Sequence, residues 1–142
     1  MSIARYLSGS VHIPGIGDLV LGGRGVQKRK LCEAELLRSA NETTGNVKTW
    51  SAIDPMIKAR IKPHAVYFNN SVIVVSWYDR TLERLSLPSG QIGQWTLISC
   101  SPTPPLITYS MCVYNGKILI SSETTSTCFI NKHKKCIIYD FS

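Results

Sequence analysis

The amino-acid sequence predicts an all-β chain built from about three copies of one four-stranded antiparallel unit, the last copy incomplete. Three observations carry that expectation: short β-branched or aromatic runs recur along the 142 residues, turn-forming residues separate them, and whole segments repeat at a nearly fixed spacing. Trp50-Ser51-Ala52-Ile53 is echoed 45 positions later by Trp95-Thr96-Leu97-Ile98. At that same spacing segment 66–76 lines up with 111–121, and Met1-Ser2-Ile3-Ala4-Arg5 returns 55 positions on as Met56-Ile57-Lys58-Ala59-Arg60. A period of roughly 45–50 residues is that of β-propeller blades, each a four-stranded sheet that must cover its faces with its neighbours.

The first unit, 1–60 with its preceding connector, is expected to place strands at 9–13, 18–22, 31–37 and 49–53. The Leu, Glu and Ala content of 31–37 favours helix intrinsically, but Cys32, Ala34 and Leu36 alternate with Glu33 and Glu35 as a strand requires. In the second unit, 61–106, strands at 64–68 and 72–76 flank Asn69-Asn70-Ser71, residues that tolerate left-handed backbone and so predict a hairpin. A third strand at 82–87, a Pro88-Ser89-Gly90 turn and a fourth strand at 95–99 complete it. The third unit, 107–142, repeats the hairpin at 109–114 and 117–121 around Asn115-Gly116, a strong short-range hairpin signal, and has no tryptophan strand. Trp50 and Trp95 hold equivalent places and are expected to pack between units. Arg5 and Arg60 recur likewise and are expected to bond loop backbone there.

Composition bounds the function. A chain that is 44% hydrophobic and 18% charged is globular rather than disordered. It has no apolar run near the roughly 20 residues of a membrane span and no secretory leader, so a soluble, cytoplasmic protein without a membrane partner is expected. Five cysteines with no Cys-x-x-Cys pair predict free thiols and no zinc site. His12, His64 and His133 form no HxxxH or His–carboxylate arrangement; the expectation is no metal, no cofactor, no catalytic residue and hence no enzyme. Gly22-Gly23-Arg24-Gly25 lacks the Gly-Lys-Ser/Thr ending of a phosphate loop. Asn41-Glu42-Thr43 and Asn69-Asn70-Ser71 fit the glycosylation pattern, which is inert in a cytosolic chain. The formal charge of +7 gathers in Lys28-Arg29-Lys30 and Lys132-His133-Lys134-Lys135. Neither cluster interleaves with aromatics as a base-stacking platform does, which disfavours nucleic acid; the clusters read as solvated loops or, failing that, as a surface for an acidic protein partner.

Gly22-Gly23 ending an apolar strand, a third strand, Trp50 and then Met56-x-x-Ala59-Arg60 resemble the kelch repeat, and 50–60 is especially similar to the repeats of BTB-kelch proteins. The resemblance runs from Met1 to Tyr139-Asp140, which matches the Tyr-Asp of a third strand. It implies a partial kelch β-propeller of about three four-stranded antiparallel blades, acting as a non-catalytic protein–protein interaction module. The substrate-recognition propeller of cullin-RING ubiquitin ligase adaptors is the leading likeness, and a cytoskeletal, actin-binding or scaffolding kelch protein is the alternative. Ser76-Trp77 and Ser121-Ser122 replace the double glycine in the later units, so those units diverge from the pattern. Partner binding in the resembled adaptors falls on the face carrying the loops between second and third strands. Here those loops hold Arg24, Lys28, Arg29 and Lys30; Trp77, Tyr78 and Arg80; and Lys132, His133 and Lys134. Lys58, Lys62 and the prolines of 102–105 border that face. Closed propellers need at least four blades, so self-association through open ends is a further expectation.

Overall fold

The computed structural model describes residues 1–38, 48–76, 81–99, 106–124 and 134–139. Among the described residues eleven strands fall into three antiparallel sheets, each meandering in chain order. Sheet one contains β1 (Gly9–Ile13), β2 (Gly17–Leu21), β3 (Ala34–Arg38) and β4 (Trp50–Ile53). Sheet two contains β5 (His64–Phe68), β6 (Ser71–Val75), β7 (Thr81–Ser86) and β8 (Trp95–Ser99). Sheet three contains β9 (Leu106–Tyr114), β10 (Lys117–Thr124) and β11 (Lys134–Tyr139). The all-β, antiparallel reading therefore holds, and β1, β5 and β8 have the predicted bounds. Among the described residues the sheets stand as three separate units and no ring closes.

The sheets stack face to face. β1 lies against β5, and β5 against β9. Ile13, Leu19, Leu21, Ala34 and Leu36 of sheet one join Val72, Val74, Leu85 and Trp95 of sheet two in one core. Val66, Phe68, Ile73, Val75 and Leu82, on the opposite face of sheet two, join Ile118 and Ile120 of sheet three in another. Sheet two is thus covered on both sides, and its strand β6, Ser71-Val72-Ile73-Val74-Val75, is buried at every position. A continuous apolar run is what a doubly covered strand requires.

Several expectations need correction. The third strand of the first unit starts at Ala34 rather than residue 31, because the backbone of Leu31 and Cys32 is taken by other segments: Leu31 N–H donates to Gly23 O (3.0 Å), Arg60 N–H to Leu31 O (3.0 Å) and Met56 N–H to Cys32 O (2.8 Å). The third unit is also out of step with the 45-residue spacing. Its two-residue turn is Asn115-Gly116, opposite Asn69-Asn70 of the second, which makes the structural spacing 46. A one-residue slip exchanges the faces of a strand, and accordingly Ile118 and Ile120 take the places of Val72 and Val74. Trp50 differs as well. Its repeat mate Trp95 is 8% exposed and donates from Nε1 to Asp54 O (2.9 Å), whereas Trp50 is 38% exposed. The face of sheet one that bears Trp50 has no neighbouring sheet among the described residues, so Trp50 is not an inter-sheet core residue.

Candidate functional site

The connector entering each four-stranded sheet is clasped to that sheet's third strand by a buried arginine–glutamate pair. Ahead of sheet one, the Ser2 amide and hydroxyl both donate to Glu35 Oε1 (2.6 Å each). Arg5 donates through Nη2 to Glu35 Oε2 (2.6 Å) and through Nη1 to Glu33 O (2.8 Å). Ahead of sheet two, the amides of Ile57 and Lys58 donate to Glu83 Oε2 and Oε1 (2.7 and 2.9 Å). Arg60 donates to Glu83 Oε1 from Nε and Nη2 (3.1 and 3.0 Å) and to Thr81 O from Nη1 (3.0 Å). Both glutamates sit mid-strand with side chains almost wholly buried. Burial alone pushes the Glu35 carboxyl upward; the hydrogen bonds from Ser2 and the Arg5 guanidinium outweigh it and hold the group at about 2, against an ordinary 4.5.

The sequence reading anticipated the arginines bonding backbone and missed their carboxylates. The missed signal was a lone acidic residue inside each third strand, Ala34-Glu35-Leu36 and Leu82-Glu83-Arg84, each downstream of its Met-x-x-Ala-Arg segment. A carboxylate whose own position is buried needs a cation or several N–H donors.

The clasp brings the connector beside the loop between β2 and β3. Gly22 and Gly23 make room for it, with φ of +60° and +96°. A Cβ on Gly22 would stand 2.7 Å from Arg60 O, and one on Gly23 2.6 Å from Tyr6 O. Gly23 N–H donates to Arg60 O (2.8 Å), and Tyr6 and Arg24 exchange both backbone hydrogen bonds (2.9 and 2.8 Å). Arg24 bridges on its other side to Lys30, giving a short ladder that runs Tyr6, Arg24, Lys30.

Four predicted binding residues converge on this ladder. Lys28, Arg29 and Lys30 are exposed and Arg24 is half-buried, with Arg24 Nη1 reaching Lys28 O at 3.5 Å. Gln27 and Lys28 adopt left-handed backbone (φ 58° and 60°) around a short 3-10 turn, Val26–Lys28. Such conformations are uncommon outside glycine and concentrate at functional loops. Arg29 is not free, because its Nη2 pairs with Glu33 Oε1. Burial raises the Glu33 carboxyl, and Arg29 with the local backbone N–H groups pulls it further down, leaving it below its ordinary value. Two exposed apolar groups that sequence reasoning did not assign to this site lie in the same ladder and loop: Tyr6 at 48% and Val26 at 78% exposure.

Trp77, Tyr78, Arg80, Lys132 and His133 lie outside the described residues, as do the prolines of 102–105. Lys134, expected in a loop, is instead the first residue of β11. Lys58 and Lys62 are exposed on the connector. His12, read as having no carboxylate partner, places Nδ1 2.7 Å from Asp18 Oδ1 across the β1–β2 hairpin, with both side chains at least half exposed. Among the described residues no group of three His, Cys, Asp or Glu is placed to hold a metal. Cys32 and Cys112 are free, and no helix is long and apolar enough to cross a membrane. No protein-family model and no curated protein matches the chain.

Proposed function

We propose that the chain is a non-catalytic protein-interaction module of the kelch kind, similar in role to the substrate-recognition propeller of BTB-kelch ubiquitin ligase adaptors, and that its β2–β3 loop takes an acidic segment of a protein partner. The observation that carries this reading is the composition of one exposed end of sheet one. Arg24, Lys28 and Lys30 stand there beside exposed Tyr6 and Val26. Arginine and lysine supply charge-assisted hydrogen bonds to carboxylates, and an aromatic beside them supplies anchoring area. The glycine-lined clasp beneath supports the loop from a rigid sheet, so little ordering cost is left to binding. Two four-stranded sheets built to one plan, each entered by a clasped Met-x-x-Ala-Arg connector, support the repeat-module part of the reading.

The test is fluorescence anisotropy with a short labelled Glu/Asp-rich peptide as probe. Saturable binding that weakens with added salt is expected, and Lys28→Glu with Lys30→Glu should reduce affinity at least about tenfold. The control is Lys48→Glu, an exposed lysine outside the loop. Equal losses in the two variants would mean that the net charge, and not this loop, attracts the peptide, and the assignment would fall.

A further inference from the structure

The chain has six asparagines, and Asn115 alone is followed by glycine. That pair forms the turn between β9 and β10, closed by Tyr114 opposite Lys117. Both turn residues are exposed, with φ of 49° and 69°. Among the described residues nothing stands within 4 Å of the place a Cβ on Gly116 would take, and Gly116 N–H donates to no backbone carbonyl. The turn of sheet two provides the contrast. Asn69 precedes Asn70, whose side chain flanks the following nitrogen, and Asn70 precedes Ser71, which is 2% exposed in β6. Asn70 Oδ1 accepts from the Tyr67 hydroxyl (3.0 Å), and Leu87 N–H fastens Asn70 O (2.9 Å).

A side-chain amide beside an accessible backbone nitrogen is a reactive pair. The Gly116 nitrogen, losing its proton, attacks Asn115 Cγ; the new C–N bond closes a succinimide ring and the side-chain nitrogen leaves as ammonia. Water then opens the ring at either carbonyl. One opening leaves aspartate, and the other leaves isoaspartate, in which the main chain runs through the former side chain. Glycine favours the attack because no Cβ crowds its nitrogen. Attack also requires Asn115 to leave its left-handed backbone, a local opening that the exposed end of a hairpin undergoes far more readily than a covered strand. We infer that Asn115 is a site of spontaneous modification in the folded chain, converted through a succinimide to aspartate and isoaspartate. Either product places a carboxylate next to Lys117. Isoaspartate also lengthens the main chain within a turn that sets strand register, so it loosens the hairpin that seats Ile118 and Ile120 on sheet two. The inference is independent of the basic loop and of any partner bound there.

Incubation of the full chain at mildly alkaline pH, followed by peptide mass spectrometry, tests it. The peptide bearing Asn115 should exchange its amide for a carboxyl group and separate into two products of equal mass, of which the isoaspartyl one accepts a methyl group from an isoaspartyl methyltransferase. The peptide bearing Asn69 and Asn70 should stay unchanged over the same period. Gly116→Ala should slow conversion of Asn115 about tenfold or more. Alanine is strained at that φ, so the two rates are also compared in urea, where the turn is lost and only the following residue matters. Asn70→Gly is the converse variant, since it places a glycine after Asn69 in the other exposed turn, and conversion should then begin at Asn69. An Asn115 that stays intact long after a free peptide of residues 110–121 has converted would overturn the inference. So would equal rates for Gly116→Ala and wild type in urea, an intact Asn69 in Asn70→Gly, or conversion of Asn69 or Asn70 ahead of Asn115 in the wild type.

Discussion

Sheets one and two follow one plan and differ in what surrounds them. Both have four strands in the order of the chain, a connector clasped by arginine and glutamate, and a tryptophan opening the fourth strand. In sheet two the tryptophan row is sealed, with Leu85 fully buried and Trp95 nearly so. In sheet one the matching Trp50 is exposed. The clasps do not differ in that way: the Arg60 and Glu83 side chains are both 0% exposed, and those of Arg5 and Glu35 are 0% and 2%. They differ in their other donors, the Ile57 and Lys58 amides reaching both oxygens of Glu83, whereas Ser2 reaches one oxygen of Glu35 and Arg5 Nε has no hydrogen-bond partner. For the tryptophans, one sequence pattern thus yields two different energetic contributions, and the neighbour decides which.

The largest expected effect is at the buried clasp. Arg60→Ala leaves Glu83 with its two backbone donors but no cation in a site closed to water, and should destabilise the chain by about 3–5 kcal/mol. Arg5→Ala strands Glu35 in the same way, with a side chain 2% exposed and donors left on one oxygen alone, and should cost a comparable amount. Urea denaturation of both variants measures the two losses, and a loss under about 1 kcal/mol in either would remove that clasp as a source of stability.

The tryptophans give the second comparison. Trp95→Ala empties part of the core and removes the donor to Asp54 O, for an expected loss of about 3 kcal/mol or more. Trp50→Ala should lie within about 1 kcal/mol of wild type, as surface substitutions do. These tryptophans also mark how far the sequence could be read. Period, turns and strand runs located every strand of the first two units, since a hairpin's alternation and its turn residues are local properties. Burial of a given side chain is a property of what stacks on it, and two similar Trp-led strands carry no record of that. The single-residue slip between the second and third units was hidden for a related reason. A run such as Val72-Ile73-Val74-Val75 aligns equally well in either register, and only the position of the turn chooses between them. At the candidate site Lys28, Arg29 and Lys30 were legible as a charge cluster, and Arg24 only by its place in the loop that the resemblance pointed to. Tyr6 was not, because it reaches the loop through backbone pairing with Arg24 rather than through any spacing in the chain, and Val26, although it lies in the loop, carries no charge to mark it.

Acid should act on the clasp of sheet one before global charge does. The Glu35 carboxyl lies at about 2 when folded, against an ordinary 4.5 when unfolded. The folded chain therefore binds this proton less readily than the unfolded chain. The stabilisation is fully present above about 4.5 and drains away as pH falls toward 2, by on the order of 3 kcal/mol. Glu35→Gln should be less stable near neutrality and should show a flatter decline across that window. Thermal melts at a series of pH values compare the slopes, and parallel slopes for the two proteins would remove Glu35 as the source.

The smallest effect expected is at the hairpin turns, where sheets two and three solve one problem with different residues. Asn69-Asn70 and Asn115-Gly116 all have positive φ, at 45°, 50°, 49° and 69°, the backbone that a two-residue turn with matching twist demands. Asn70→Gly gives the second turn the residues of the third. It relieves the steric cost of a side chain in left-handed backbone, worth a few tenths of a kcal/mol for asparagine, which tolerates that region. Against this, glycine has more freedom to lose on folding. The variant also gives up the bond from the Tyr67 hydroxyl to Asn70 Oδ1 (3.0 Å), an exposed contact, while the bond from Leu87 N–H to Asn70 O uses backbone and survives. The opposing terms are of similar size, so the net change should stay within about 0.5 kcal/mol. Gly116→Asn is the mirror experiment and should be equally mild. A loss above about 1 kcal/mol in Asn70→Gly alone would show that the Tyr67 contact, rather than the turn backbone, holds this hairpin in register.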